Sequence, residues 1–212
     1  ATIANYCART NTALIHYSTE YVYDGTKKSP YFEDDSTSPL NAYGRSKLAG
    51  DIAIQSSGIR HFILRTSWVY GANGHNFLQT MLRLATSREK ISVVNDQYGT
   101  PTTSSLLART TVEFVLNGAF KEHSLSGIYN LSELGETTWY DFAHAILSKS
   151  PSQHNFNLDA LIPIPSKEYP TRATRPKNSL LSKAKIQETF NLAIPHWEQS
   201  LEQVLFDIRH IH

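Results

Sequence analysis

Tyr43 and Lys47 stand four residues apart within 39–47, PLNAYGRSK. A phenol titrating near about 10 is a poor acid or base at neutral pH. A lysine ammonium one helical turn away favours phenolate and brings the group toward its working range. Spacing alone is weak: 11 tyrosines and 10 lysines among 212 residues give roughly half such a pair by chance, and two occur. The other, Tyr23/Lys27, encloses the turn Asp24-Gly25 and has no helical reason to meet. Tyr43/Lys47 falls at a helix start, where positions i and i+4 share a face, apart from the stripe of Leu48 and Ile52. A surface tyrosine laid over a lysine stem has the same spacing, so the pair by itself leaves both readings open.

The surrounding elements narrow the choice. Residues 12–18 (TALIHYS) read as a strand ending at Ser18-Thr19, and α/β sheets place ligand-contacting groups at such C-terminal ends. Residues 19–41 are polar and turn-rich, and 42–56 form the helix of Tyr43 and Lys47, with Leu48/Ile52 and Ala49/Ala53 at four-residue spacing. Residues 61–67 (HFILRTS) are a second buried strand, ending beside Ser67-Trp68. Further on, the patterns give helices over 76–88 and about 103–116, with Leu107, Thr111, Phe114 and Val115 on one face, and strands over 91–95 and 127–131. Thr138 with Asp141 marks a helix start whose apolar face is Trp139, Phe142, Ala143 and Ile146. Residues 148–179 read as irregular, with Pro151, Pro163, Pro165, Pro170 and Pro176, and a last helix after Pro195 carries Trp197, Leu201, Val204, Leu205 and Ile208. The alternation predicts a parallel α/β sheet of only two or three strands, against about six in a complete doubly wound sheet.

Composition excludes several classes. A formal net charge of +1 leaves no basic excess for nucleic acid. No run approaches the roughly 18 apolar residues of a membrane span. The one cysteine, Cys7, rules out an internal disulfide framework and a multi-cysteine zinc site. No signal peptide is visible, so a cytoplasmic location is expected. The ten glycines form neither a G-x-G-x-x-G series, nor a P-loop, nor a nucleophile elbow. The S-x-x-K match at 87–90 ends a helix among charges without companion motifs, and Asn130-Leu131-Ser132 is an idle sequon.

Segments 18–25 (STEYVYDG), 39–50 (PLNAYGRSKLAG) and 65–71 (RTSWVYG) resemble the extended short-chain dehydrogenase/reductase family. Segments 76–84, 93–102, 127–132 and 175–180 (RPKNSL) extend the likeness over nearly the whole chain. Within the family they are most similar to the branch that reduces dTDP-4-dehydro-L-rhamnose at C4, in rhamnose synthesis for cell-surface polysaccharide. The resemblance implies an α/β fold: a partial Rossmann-like parallel sheet, its C-terminal portion, with a smaller α/β substrate-binding domain. The division expected is 1–72 for the dinucleotide side and 73–212 for the substrate side, with 103–131 returning to the sheet.

It further implies catalysis by Tyr43 as proton donor, Lys47 tuning it and binding the nicotinamide ribose, and Thr19 polarising the carbonyl. NADPH or NADH is the implied cofactor, held by Tyr43, Lys47, Ser18 and Ser67. The dTDP-sugar is expected against Trp68, Glu20, Asn76, Gln97, Thr102 and Arg175. No metal is expected; a homodimer is. Two residues depart from the family's pattern: Glu20 replaces the usual Asp, and Tyr23 the usual Phe. The family's glycine-rich phosphate loop and first βα units are expected before Ala1, so these 212 residues alone should bind dinucleotide weakly and present an open sheet edge. A non-catalytic, reductase-like regulatory subunit is the alternative from another class. A related epimerase or dehydratase is the other, although a dehydratase would carry a second carboxylate where this chain has Tyr21.

Overall fold

The computed structural model describes residues 2–150, 157–169 and 171–210. Expectations placed on Ala1, Pro151 and Pro170 lie outside them. Three parallel strands, β1 (Leu14–Thr19), β2 (His61–Thr66) and β7 (Gly127–Asn130), form the main sheet in the order β1-β2-β7. The register sets Thr19 opposite Thr66 and Arg65 opposite Asn130. The β1 and β2 chains therefore end together at one edge. The central strand is apolar on both faces, as a covered parallel strand must be. Ile63 packs with Ala4, Cys7, Ile54 and Ile59 on one side. Phe62 and Leu64 point the other way, against Leu106, Phe114 and Ile186.

Two helices cover the first face: α1 (Thr2–Thr10) and α2 (Ala42–Gln55). The apolar stripe expected on α2 is not its buried face, because Ile52 is half exposed. The helix instead buries Gly44, Asp51 and Ile54, and Asp51 is retained there by ionic partners from the strands. After β3 (Val69–Tyr70), a second core forms among α3 (Phe77–Ser87), β4 (Ile91–Val94), α5 (Trp139–Lys149), β9 (Leu161–Ile164) and α7 (Trp197–His210). Helix α5 starts as its sequence dictates: Thr138 Oγ1 accepts from Asp141 N at 3.0 Å and donates to Asp141 Oδ2 at 2.6 Å.

The short strands β5 (Tyr98–Gly99), β6 (Thr102–Thr103) and β8 (Thr137–Thr138) connect these parts, with β3 pairing β6 and β5 pairing β8. Helix α4 (Ser104–Leu116) follows β6 directly and buries Leu107 and Phe114 while leaving Val115 exposed. One expectation fails, and one helix lies where none was expected or excluded. The irregular stretch at 148–179 contains β9, which runs parallel to β4 with Pro163 opposite Val93. Helix α6 (Ala184–Phe190) has no side-chain cap to announce it.

Glu133, after β7, is fully buried and accepts from the Thr103 amide at 3.3 Å and its hydroxyl at 2.7 Å. Burial pushes its carboxyl up to about 7, opposed by the Thr103 and Ser200 hydroxyls nearby. A folded pKa above the unfolded value means stability fully present below pH about 4.5 and lost as pH rises through about 7. Glu133→Gln should therefore gain up to about 3 kcal/mol over the parent at pH 8 and little at pH 4.5. Glu20 titrates in the same window and keeps part of the pH dependence in the variant. Urea melts at both pH values check this; an equal effect at both would refute the ionisation argument.

Candidate functional site

The site lies where β1 ends. Thr19, the last residue of β1, is buried and caps a single 3-10 turn over Glu20–Val22, its hydroxyl accepting from Tyr21 N at 3.2 Å. The same hydroxyl donates to Glu20 Oε2 at 2.7 Å. Helix α2 begins against this turn. A Cβ on Gly44 would lie 2.2 Å from the Tyr21 carbonyl oxygen, so only glycine permits the approach. The close contact brings the Tyr43 ring edge-on to Tyr21, with centroids 5.8 Å apart.

The Thr19 hydroxyl near the phenol of Tyr43 pulls its pKa down. Burial and the Glu20 carboxylate outweigh it, so the phenol titrates above its ordinary value. The expectation that Lys47 lowers it is corrected. The Lys47 ammonium donates to the Tyr17 carbonyl of β1, and the groups that shift the phenol are its burial, Glu20 and Thr19. Tyr43 is thus a neutral O–H donor at pH 7, the form needed to deliver a proton. Burial likewise lifts Glu20 to about 7, opposed by Thr19 and by the nearby Arg175 guanidinium.

Arg175 belongs also to a cavity of about 500 Å³. Phe77, Met81, Val93 and Trp139 supply its apolar wall; Lys167, Arg175 and Lys177 are cations at its margin. Its size suits a small-molecule ligand, and the combination suits an aromatic base joined to a diphosphate. Trp68 stands behind the wall, stacked on Trp139 with centroids 3.7 Å apart. Its φ of 46° is a rare, strained conformation for a bulky residue, of the kind found at ligand sites.

Of the residues expected from sequence, Thr19, Glu20, Tyr43 and Arg175 gather at one place, and Gln97 lines the cavity while bonding Ser166 at 3.0 Å. Others are turned away. Ser18 donates to Asp51 at 2.9 Å and Ser67 to the Thr100 carbonyl at 2.8 Å, both buried, so neither hydroxyl hydrogen is left for a cofactor. Asn76 caps α3, accepting from Gln79 N at 3.1 Å and donating to Gly71 O at 3.0 Å. Thr102 is fully buried, its hydroxyl facing the Thr100 carbonyl. In this structure the side chains of all four bond to the protein itself. Sequence reasoning missed Trp139, Lys167 and Lys177. Lys177 sits inside the recognised RPKNSL run and could have been included with Arg175.

Residues 1–210 match the family described as RmlD substrate binding domain. The chain belongs to that family. Over 207 residues it is 42% identical to dTDP-4-dehydrorhamnose reductase of Salmonella typhimurium, covering 97% of this chain and 69% of that protein. The Shigella flexneri protein of the same name is 43% identical over 196 residues, covering 92% and 65%. The crystal structure of dTDP-4-dehydrorhamnose reductase from Bacillus anthracis in complex with NADP superimposes with a TM-score of 0.85 at 34% identity, covering 97% of this chain and 69% of that one. The chain thus spans about two thirds of the length of these RmlD relatives. Among the described residues, no helix is long and apolar enough to cross a membrane, and no group of three or more His, Cys, Asp and Glu could hold a metal ion.

Proposed function

We propose that the protein takes part in the reduction of dTDP-4-dehydro-L-rhamnose at C4, giving dTDP-L-rhamnose with NADPH or NADH. The observation that carries this reading is the position of Arg175, which lines the cavity and also acts on Glu20 and Tyr21 at the end of β1. A ligand with its diphosphate near Arg175 and Lys177 directs its sugar toward Thr19 and Tyr43. There Tyr43 passes its proton to the C4 oxygen, and Thr19 turns its hydrogen to that oxygen as negative charge develops.

The chain's residues fit the nicotinamide end of a dinucleotide. Lys47 and Tyr43 share one face of α2 beside the end of β1, where the ribose would lie; when bound, the reduced nicotinamide supplies the hydride. In this reading 1–72 and 103–131 make the dinucleotide side, supported by the pairing of β7 with β2, and the rest of 73–212 makes the substrate side. A homodimer and a cytoplasmic location belong to the same reading, and sedimentation velocity tests the first.

Dehydration is disfavoured by Tyr21. Burial raises its phenol to about 12, so it cannot replace a carboxylate as base. Full-length protein should oxidise one reduced nicotinamide per keto sugar consumed and form no 4-keto-6-deoxy sugar from dTDP-glucose. Chromatography of the two reactions decides, and accumulation of that product would favour a dehydratase.

A further inference from the structure

The segment 174–179 runs as a strap from the turn before α2 to the loop at 25–29, with Arg175 and Lys177 lining the cavity on the way. Its far end is held firmly. Pro176 packs where a Cβ on Gly25 would come within 2.4 Å, and Asn178 donates to the carbonyls of Lys27 and Ser29 at 2.7 and 3.0 Å. Tyr98 N donates to Lys177 O, and Ser179 N to Tyr98 O, each at 2.8 Å. At the near end, among the described residues, one hydrogen bond ties 171–175 to another element: Asn41 Nδ2 donates to the Thr174 carbonyl at 2.9 Å. Asn41 is buried, and its other amide atom is equally engaged. Oδ1 accepts from Gly44 N at 2.9 Å as the N-cap of α2.

One side chain therefore fixes the first turn of the helix bearing Tyr43 and the strap bearing Arg175. We propose that Asn41 is a positioning residue that sets the cation strap against the helix bearing the proton donor. It pre-orders the strap for the diphosphate of a sugar nucleotide. The proposal rests on the functional reading above. Without the Thr174 bond, Arg175 must be ordered by the ligand at the time of binding, which lowers affinity. The loss is felt equally by ground and transition states, so it falls on KM rather than kcat.

The two amide atoms can be tested separately. Asn41→Asp keeps a cap acceptor and suits the positive end of a helix, but it sets an oxygen against the Thr174 carbonyl. Asn41→Ser gives a neutral cap without the reach to Thr174. In full-length protein, both should bind dTDP about tenfold more weakly by calorimetry. KM for the keto sugar should rise by a similar factor, with kcat within about threefold. Asn41→Ala, which also loses the cap, should lower kcat as well. If either capped variant folds and binds dTDP as the parent does, the proposal is overturned. If the parent itself ignores dTDP, the functional reading fails instead.

Discussion

Tyr43→Phe should lower turnover of full-length protein by about 10²–10⁴-fold while leaving KM for the sugar nucleotide nearly unchanged, because it deletes one O–H and no packing atoms. The half-exposed ring keeps its edge contact with Tyr21, and the helix cap at Asn41 does not involve the phenol. Steady-state kinetics near neutral pH suffice, since the phenol titrates above its ordinary value and remains protonated there. Turnover within about threefold of the parent would remove Tyr43 from the chemistry. Tyr23→Phe, the obvious matched change by spacing, is not a harmless control. Tyr23 is almost fully buried, donating to the Phe32 carbonyl at 2.8 Å and accepting from Arg65 at 2.7 Å. Tyr6, exposed on α1, is the better site for one.

The different fates of these two tyrosines show what sequence can carry. Tyr43 was legible because its partners are local: a cap two residues before it, a glycine after it, and a lysine one turn on. Strand β2 was legible because an unbroken apolar run has few other uses. Strand β9 was not, because Pro163 argues against a strand and is tolerated only at the edge of its two-stranded pairing with β4. The buried face of α2 was misread because Asp51 replaces an apolar residue there, and its partners lie on other elements. The Asn41–Thr174 bond spans 133 residues. Nothing in local spacing announces such a contact. Ser18, Asn76 and Thr102 fall in recognisable motifs, yet a motif records that a residue type is required and not which way its side chain points.

The ionic group beneath the site supplies the second large effect. Arg65, one residue before the end of β2, is buried and reaches three residues on α2 and on the loop after Thr19. Its Nε donates to Asp51 Oδ2 of α2 at 3.4 Å, and one terminal nitrogen donates to Tyr23 and to the Glu33 carbonyl. Glu33 in turn accepts from Asn130 N of β7 at 2.8 Å. Asp51 has Ser18 at 2.9 Å and His16 at 3.6 Å besides. Burial and the nearby Lys47 charge hold the His16 pKa below its ordinary value, so the imidazole is a weak counter-charge near neutral pH. Arg65→Ala should thus leave a carboxylate buried without an ionised partner, at a cost of about 3–5 kcal/mol.

Replacing both charges, as in Arg65→Met with Asp51→Leu, should recover much of that loss, because two desolvated charges are removed together. The double variant should nevertheless remain impaired in turnover. Arg65 also holds the loop that follows Thr19, through Tyr23 and Glu33, and an apolar side chain cannot replace those hydrogen bonds. Urea denaturation of the single and double variants, with kinetics of the double, separates the two roles. A single variant less than about 1 kcal/mol below the parent would mean that water or local rearrangement compensates Asp51. A stable double variant with normal turnover would show that the loop keeps Thr19 in place without Arg65.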